Sequence, residues 1–210
     1  MNELTLFAFP GACSRVSLIL LEQAHADYQV HWVRLTKGEH KRPEFLAINP
    51  KAKVPALKIG NDILTENPAI ISYINQLFPS AQLLPVSNNA LTQLQQLSDL
   101  CFCSSTLHPM VTRFCKPEFF ATSDAIISVK QKAQDALNDA LVWVEQRMGQ
   151  AAWWYGEQWS AMDAYLFWVL TRLQSADFSL AEWPNLHRFV QAMLTRPAVQ
   201  RALAKEQQLA

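Results

Sequence analysis

A chain of 210 residues is long enough for one large domain or two small ones, and at this size folding buries about 70% of the unfolded surface, so no disulfide or metal staple is required. Lys plus Arg equals Asp plus Glu at 18 each, which leaves no basic surplus for nucleic acid. No window approaches the ~18 uninterrupted apolar residues of a membrane span, so neither a nucleic-acid nor a membrane partner is expected.

The start of the chain, Met1-Asn2-Glu3, lacks the basic flank of a signal peptide. Cys13, Cys101, Cys103 and Cys115 form no C-x-x-C pair, and the five histidines have no metal-ligand spacing. No metal is expected, and unpatterned thiols point to a reducing cytoplasm.

Residues 4–9 form an apolar run rich in strand formers, and residues 16–24 read as a buried helix. Pro10-Gly11-Ala12-Cys13-Ser14 between them is therefore a strand–turn–helix corner. A thiol at that helix start meets unpaired N–H groups and the positive end of the helix dipole. A depressed Cys13 pKa is expected from this. Taken alone, such a cysteine is as readily a small buried residue.

Residues 28–35 alternate with period two and read as a second strand, and residues 43–48 as a short helix stopped by Asn49-Pro50. Residues 54–59 and 63–65 flank the turn Gly60-Asn61-Asp62 as a hairpin. Asn67 is a good N-cap and Pro68 suits the first helical position of a helix that ends at Pro79. The order β-α-β-α-β-β-α predicts an α/β layer over residues 1–79.

Residues 80–89 have a linker composition, and beyond them, over residues 90–210, the pattern is helical throughout. Residues 90–107 read as a long helix broken near Pro109. Thr122 or Ser123 caps the next helix, which Gly149 closes. Ser160-Ala161-Met162-Asp163 is a capping box before a helix that is apolar on all sides, the expected centre of the second domain. Two short helices follow, over residues 185–195 and 198–205.

Four segments carry a family resemblance. They are Pro10-Gly11-Ala12-Cys13-Ser14, the stretch from Asn49-Pro50 through Val54-Pro55-Ala56-Leu57, Thr65-Glu66-Asn67-Pro68-Ala69-Ile70, and Ser160-Ala161-Met162-Asp163-Ala164-Tyr165. In this order and at these spacings the chain resembles a glutathione transferase, most closely of the bacterial Beta class. The resemblance implies a thioredoxin-like N-terminal domain, an all-helical C-terminal domain, glutathione as co-substrate, and a homodimer.

It also implies a cis Val54-Pro55 bond, with Val54 pairing to the backbone of the extended tripeptide. Glu66 takes the ligand's ammonium group. The helix start at Asn67 takes the γ-glutamyl carboxylate. Lys37 and Lys53 meet the glycyl carboxylate, although both also read as ordinary solvated charges, as Glu66-Asn67 reads as a plain helix cap. His108 matches the histidine that faces the cysteine, and Phe114 and Trp168 are expected to wall the pocket of a hydrophobic electrophile.

The chain departs from the family's pattern in three places. Phe7-Ala8-Phe9 stands where a tyrosine is usual, Asn67 replaces a serine or glycine, and Pro109 follows His108 and disfavours helix there. Cys13 thus becomes the leading chemical group, with Ser14 as the fallback donor. Two chemistries follow for an enzyme: conjugation of glutathione to the electrophile, or exchange with a disulfide through Cys13. The alternative is a non-catalytic protein on the same fold that acts through partner binding.

Overall fold

The computed structural model describes residues 3–208. Met1, Asn2, Leu209 and Ala210 lie outside the described residues, and with them most of the Met1-Asn2-Glu3 reading. The chain forms two compact units. One holds the residues up to Leu83 together with those from Thr195 onward, and the other is Leu84–Leu194.

The first unit is built on a four-stranded sheet in the order β2-β1-β3-β4. β1 (Leu4–Ala8) lies parallel to β2 (Gln29–Trp32) and antiparallel to β3 (Ala56–Ile59), which turns back into β4 (Asp62–Thr65). β1 is central, and Leu4, Leu6, Phe7 and Ala8 are all buried, as a strand covered on both faces requires. α1 (Ser14–Gln23) returns the chain from β1 to β2 and buries Val16, Leu18, Ile19, Leu20 and Leu21. The short α2 (Pro43–Leu46) sets Phe45 into a cluster with Phe7, Val33, Val54 and Ala56. α3 (Asn67–Leu77) packs on α1.

The second unit is helical: α4 (Ala90–Cys101), α5 (His108–Cys115), α6 (Ile126–Met148), α7 (Ala161–Gln174) and α8 (Pro184–Leu194). α7 is its centre, buried along nearly its whole length. The capping box is formed: the Ser160 N–H donates to Asp163 Oδ2 at 2.8 Å, and the Trp154 N–H donates to Asp163 Oδ1 at 2.7 Å. α6 closes at Gly149, whose φ of 45° suits a residue without Cβ. Its N-cap is Ala125 rather than Thr122 or Ser123, and the Thr122 hydroxyl donates to Asp124 instead.

The expected break near Pro109 does not occur. A π-helical stretch, Phe102–Leu107, joins α4 to α5, and His108 keeps helical backbone at φ −58° and ψ −45°. Pro109 lies in the first turn of α5, where its missing N–H costs little.

The last helix, α9 (Pro197–Gln207), packs on α1 in the first unit, although it falls within the expected helical segment 90–210. Charge explains the attachment. Arg15 meets Glu206 at 2.6 Å, and Glu22 receives Arg201 at 2.8 Å and Lys205 at 2.7 Å. Burial raises the Glu22 pKa, but hydrogen bonds from Lys205, Tyr28 and Arg201 outweigh it and leave the carboxyl below its ordinary value. Among the described residues, no helix is long and apolar enough to cross a membrane.

Candidate functional site

The corner after β1 is held by its own backbone and by Ser14. Gly11 has a φ of +75°, a conformation in which other residues are strained. The Ala12 N–H donates to the Phe9 carbonyl at 3.1 Å. Ser14 is fully buried; its hydroxyl accepts from the Phe9 N–H at 3.1 Å and donates to the Phe9 carbonyl at 3.2 Å. This corrects the expectation of Ser14 as a fallback donor, because its hydrogen-bonding capacity is used to fasten the corner.

Cys13 sits at the N-cap of α1, and two distant segments meet it there. Its thiol donates to the Val54 carbonyl at 3.4 Å. Asn67 donates its side-chain N–H to the Cys13 carbonyl at 3.0 Å and accepts from the Ser17 hydroxyl at 2.9 Å. The Val54-Pro55 bond is cis, as the family resemblance implies.

The expectation of a depressed Cys13 pKa is overturned. Burial is the largest influence and, with the Glu66 carboxylate assisting, pushes the thiol up to about 12. The Cys13 backbone N–H, Lys53 and Asn67 pull the other way and do not prevail. Cys13 is thus a neutral thiol in this state, hydrogen bonded to a carbonyl.

The expected cap moves by one residue. α3 starts at Asn67, and the N-cap is Glu66, whose φ of 73° is unusual for a residue with a side chain. The Asn67 side chain does not cap its own helix. It is buried and ties α3 to α1, which leaves the backbone N–H groups of the first turn as the polar face of that helix end. Glu66 is exposed, and its carboxylate pairs with Lys51 at 2.7 Å.

Lys51 was not among the residues singled out from the sequence. It is held by Asn49, whose side chain accepts from the Lys51 N–H at 3.1 Å and donates to the Lys53 carbonyl at 2.6 Å. The loop Asn49-Pro50-Lys51-Ala52-Lys53-Val54-Pro55 carries two lysines, and that spacing is the sequence signal for Lys51. His40 carries no sequence signal of a role, and its Nδ1 is buried without a hydrogen-bond partner. Lys37 and Lys53 are both exposed, and Lys53 is close enough for its charge to act on Cys13.

The remaining expected site residues lie in the second unit. His108 Nδ1 is 3.3 Å from the Tyr165 hydroxyl, and its ring meets Trp168 edge-on at 4.4 Å. Phe114 and Trp168 are only 4% and 3% exposed. Phe114 packs edge-on against Phe178 at 5.5 Å, under the Lys130 ammonium. Both rings are core of the helical unit rather than exposed pocket wall, because their apolar faces are already covered by neighbouring helices. No cluster of three or more His, Cys, Asp or Glu side chains suited to a metal occurs among the described residues.

Two family models match the chain. Residues 2–76 match the glutathione S-transferase N-terminal domain and residues 116–192 the glutathione S-transferase C-terminal domain. The glutathione S-transferase GstA of Escherichia coli O157:H7 is 32% identical over 204 residues, which cover 96% of this chain and 98% of that protein. A glutathione transferase homolog from Sulfitobacter, solved with bound glutathione, superposes with a TM-score of 0.88 at 28% identity and covers 100% of both chains. A bacterial beta class glutathione S-transferase from Sphingomonas chungbukensis superposes with a TM-score of 0.84 at 29% identity, covering 96% of this chain and 98% of that one.

Proposed function

The chain belongs to the glutathione S-transferase family, and on that premise we propose that it binds glutathione on the sheet-bearing residues 1–79 and conjugates it to a hydrophobic electrophile. The observation that carries this reading is the meeting of Cys13, cis Val54-Pro55 and the Glu66-Asn67 helix start in one place. Glutathione is an extended anionic tripeptide, and each of its groups has a counterpart here. The γ-glutamyl carboxylate takes the N–H groups of the first turn of α3. The ammonium group takes Glu66, displacing Lys51 from an exposed ion pair worth less than about 1 kcal/mol. The peptide backbone pairs with Val54. The glycyl carboxylate takes Lys53 and Lys37, with the unpartnered His40 Nδ1 as a further donor. The bound glutathione of the Sulfitobacter homolog supports this reading.

In conjugation, the glutathione sulfur gives up its proton to solvent, attacks the electrophilic carbon and forms the C–S bond as the leaving group departs with its electron pair. A thiolate is needed on the ligand, not on the protein. A neutral Cys13 suits this chemistry, since its S–H can turn from the Val54 carbonyl and donate to the ligand thiolate. The hydrophobic co-substrate is assigned to the helical residues beyond the linker 80–89, where the half-buried His108 is the expected polar contact.

The second reading is thiol–disulfide exchange, favoured by the position of Cys13 at a helix start with Lys53 nearby. There Cys13, having given its proton to solvent, attacks one sulfur of a disulfide and expels the other as a thiolate, and a glutathione thiolate then attacks the mixed disulfide, forms a new S–S bond and expels Cys13. Turnover of a chlorinated nitroaromatic and of a mixed-disulfide substrate, each with Cys13→Ala, separates the two. Conjugation predicts nitroaromatic turnover that falls about tenfold in the variant, since one weak donor is lost. Exchange predicts that only the disulfide turns over and that the variant is inactive. No turnover of either substrate, with glutathione bound, favours the non-catalytic protein.

A homodimer is part of the proposal, as is a cytoplasmic location, which fits four thiols outside any disulfide. Leu91, Leu94 and Leu97 lie at helical spacing along α4 and are 74%, 61% and 43% exposed. Trp143 on α6 is also exposed. A contiguous apolar stripe of this kind marks an interaction surface, and a symmetric pair is the commonest way to cover one. Light scattering should give twice the 23.8 kDa chain mass, and Leu94→Glu should return it to one chain. A native monomer contradicts the assignment.

A further inference from the structure

His108 is held from more sides than an ordinary helical histidine needs. The π-helical stretch Phe102–Leu107 ends directly before it. The extra residue of a π turn rotates the following helix by about 100° relative to an uninterrupted one. That stretch has its own support, since the Ser104 and Ser105 hydroxyls both donate to the Cys101 carbonyl, at 3.3 and 2.6 Å. Pro109 restricts the backbone on the other side. The Thr112 hydroxyl donates to the His108 carbonyl at 2.9 Å.

The ring is held as firmly as the backbone. Tyr165 and Trp168 stand three residues apart on α7 and so share a face. Trp168 meets the imidazole edge-on with ring centres 4.4 Å apart, and Tyr165 meets Trp168 in the same way at 6.0 Å. The Tyr165 hydroxyl lies 3.3 Å from His108 Nδ1. Tyr165 is itself only 1% exposed, so a phenylalanine would fill the same space with no O–H to satisfy. The hydroxyl is therefore the part of Tyr165 that packing does not explain. It is buried beneath a histidine that is only half-buried.

We propose that Tyr165 is a positioning residue that acts through His108: its O–H donates to Nδ1, holds the imidazole proton on Nε2 and makes that N–H the donor to the co-substrate. A phenol O–H is a ready donor, and the unprotonated nitrogen of a neutral imidazole is a ready acceptor. The proposal rests on the reading of His108 as the polar contact of the co-substrate.

Two measurements on the full chain test it. Long-range 15N–1H correlation spectra in alkaline buffer, where imidazole is neutral, should show the His108 ring protonated on Nε2; its signals are those that His108→Ala removes. Tyr165→Phe should leave both tautomers populated. In turnover of the chlorinated nitroaromatic, Tyr165→Phe should raise KM about fivefold, the worth of one hydrogen bond, with kcat little changed. Glutathione affinity by calorimetry should stay as in the parent. Combined with His108→Ala, the same substitution should add nothing further. A parent ring protonated on Nδ1 overturns the proposal, as does a Tyr165→Phe spectrum identical to the parent's. So does a KM that His108→Ala raises and Tyr165→Phe does not, or an equal rise from Tyr165→Phe when His108 is already absent, since the hydroxyl would then act through packing. If His108→Ala itself leaves KM unchanged, the co-substrate contact is lost and the proposal falls with it.

Discussion

Cys13 is subject to two opposing influences within a few ångströms. The helix start offers a positive end that favours a thiolate, while burial against the Val54 carbonyl favours the thiol. Burial prevails and carries the pKa to about 12. A group whose folded value lies above its ordinary one loses its proton late, so the thiolate needed for alkylation is scarce at neutral pH. Iodoacetamide labelling of Cys13 in the ligand-free protein should be slow from pH 7 to 9 and accelerate above that, as the pH approaches about 12. A labelling midpoint below the free-thiol value of about 8.5 contradicts the assignment. The corner around Cys13 was legible in the sequence because Pro10, Gly11 and the flanking runs are local signals. The direction of the shift was not, because the burial that sets it comes from the fold and its charged contributors, Lys53 and Glu66, lie far along the chain.

At the scale of single elements, the clearest sequence signals were those that satisfy backbone groups nearby. Ser160 and Asp163 are three residues apart, and they form the box their spacing predicts. The structure adds a part that spacing does not reveal, because Asp163 also accepts from the Trp154 N–H and so holds the preceding loop. The two side chains should therefore differ in weight. Ser160→Ala should lower stability by about 1 kcal/mol. Asp163→Ala leaves two buried N–H groups unpaired and should cost about 3 kcal/mol or more. Thermal melts check both, and equal losses would mean that the Trp154 contact contributes nothing. Pro109 and Asn67 show the converse. Each reads locally as a helix breaker or a cap, yet a π-helical stretch carries the chain through the first, and contacts with α1 turn the second inward.

Over the whole molecule, the α/β layer followed by helices was legible from the change in hydrophobic period at the linker. The position of α9 was not. Its attachment to α1 depends on Glu22, Arg15 and Tyr28, which lie more than 170 residues earlier in the chain and carry no local mark of a partner. The candidate glutathione site was half visible in the same sense. Its loops could be named from their motifs, while Lys51 and the unpartnered His40 Nδ1 emerged only with the fold. The central claim is that these loops hold glutathione, and calorimetric titration with glutathione tests it most directly. Glu66 is exposed, so Glu66→Gln should leave the fold intact while removing the partner of the ligand ammonium group. The account predicts saturable binding of one glutathione per chain, weakened about tenfold or more by Glu66→Gln. No binding at millimolar glutathione, or binding that Glu66→Gln leaves unchanged, contradicts it.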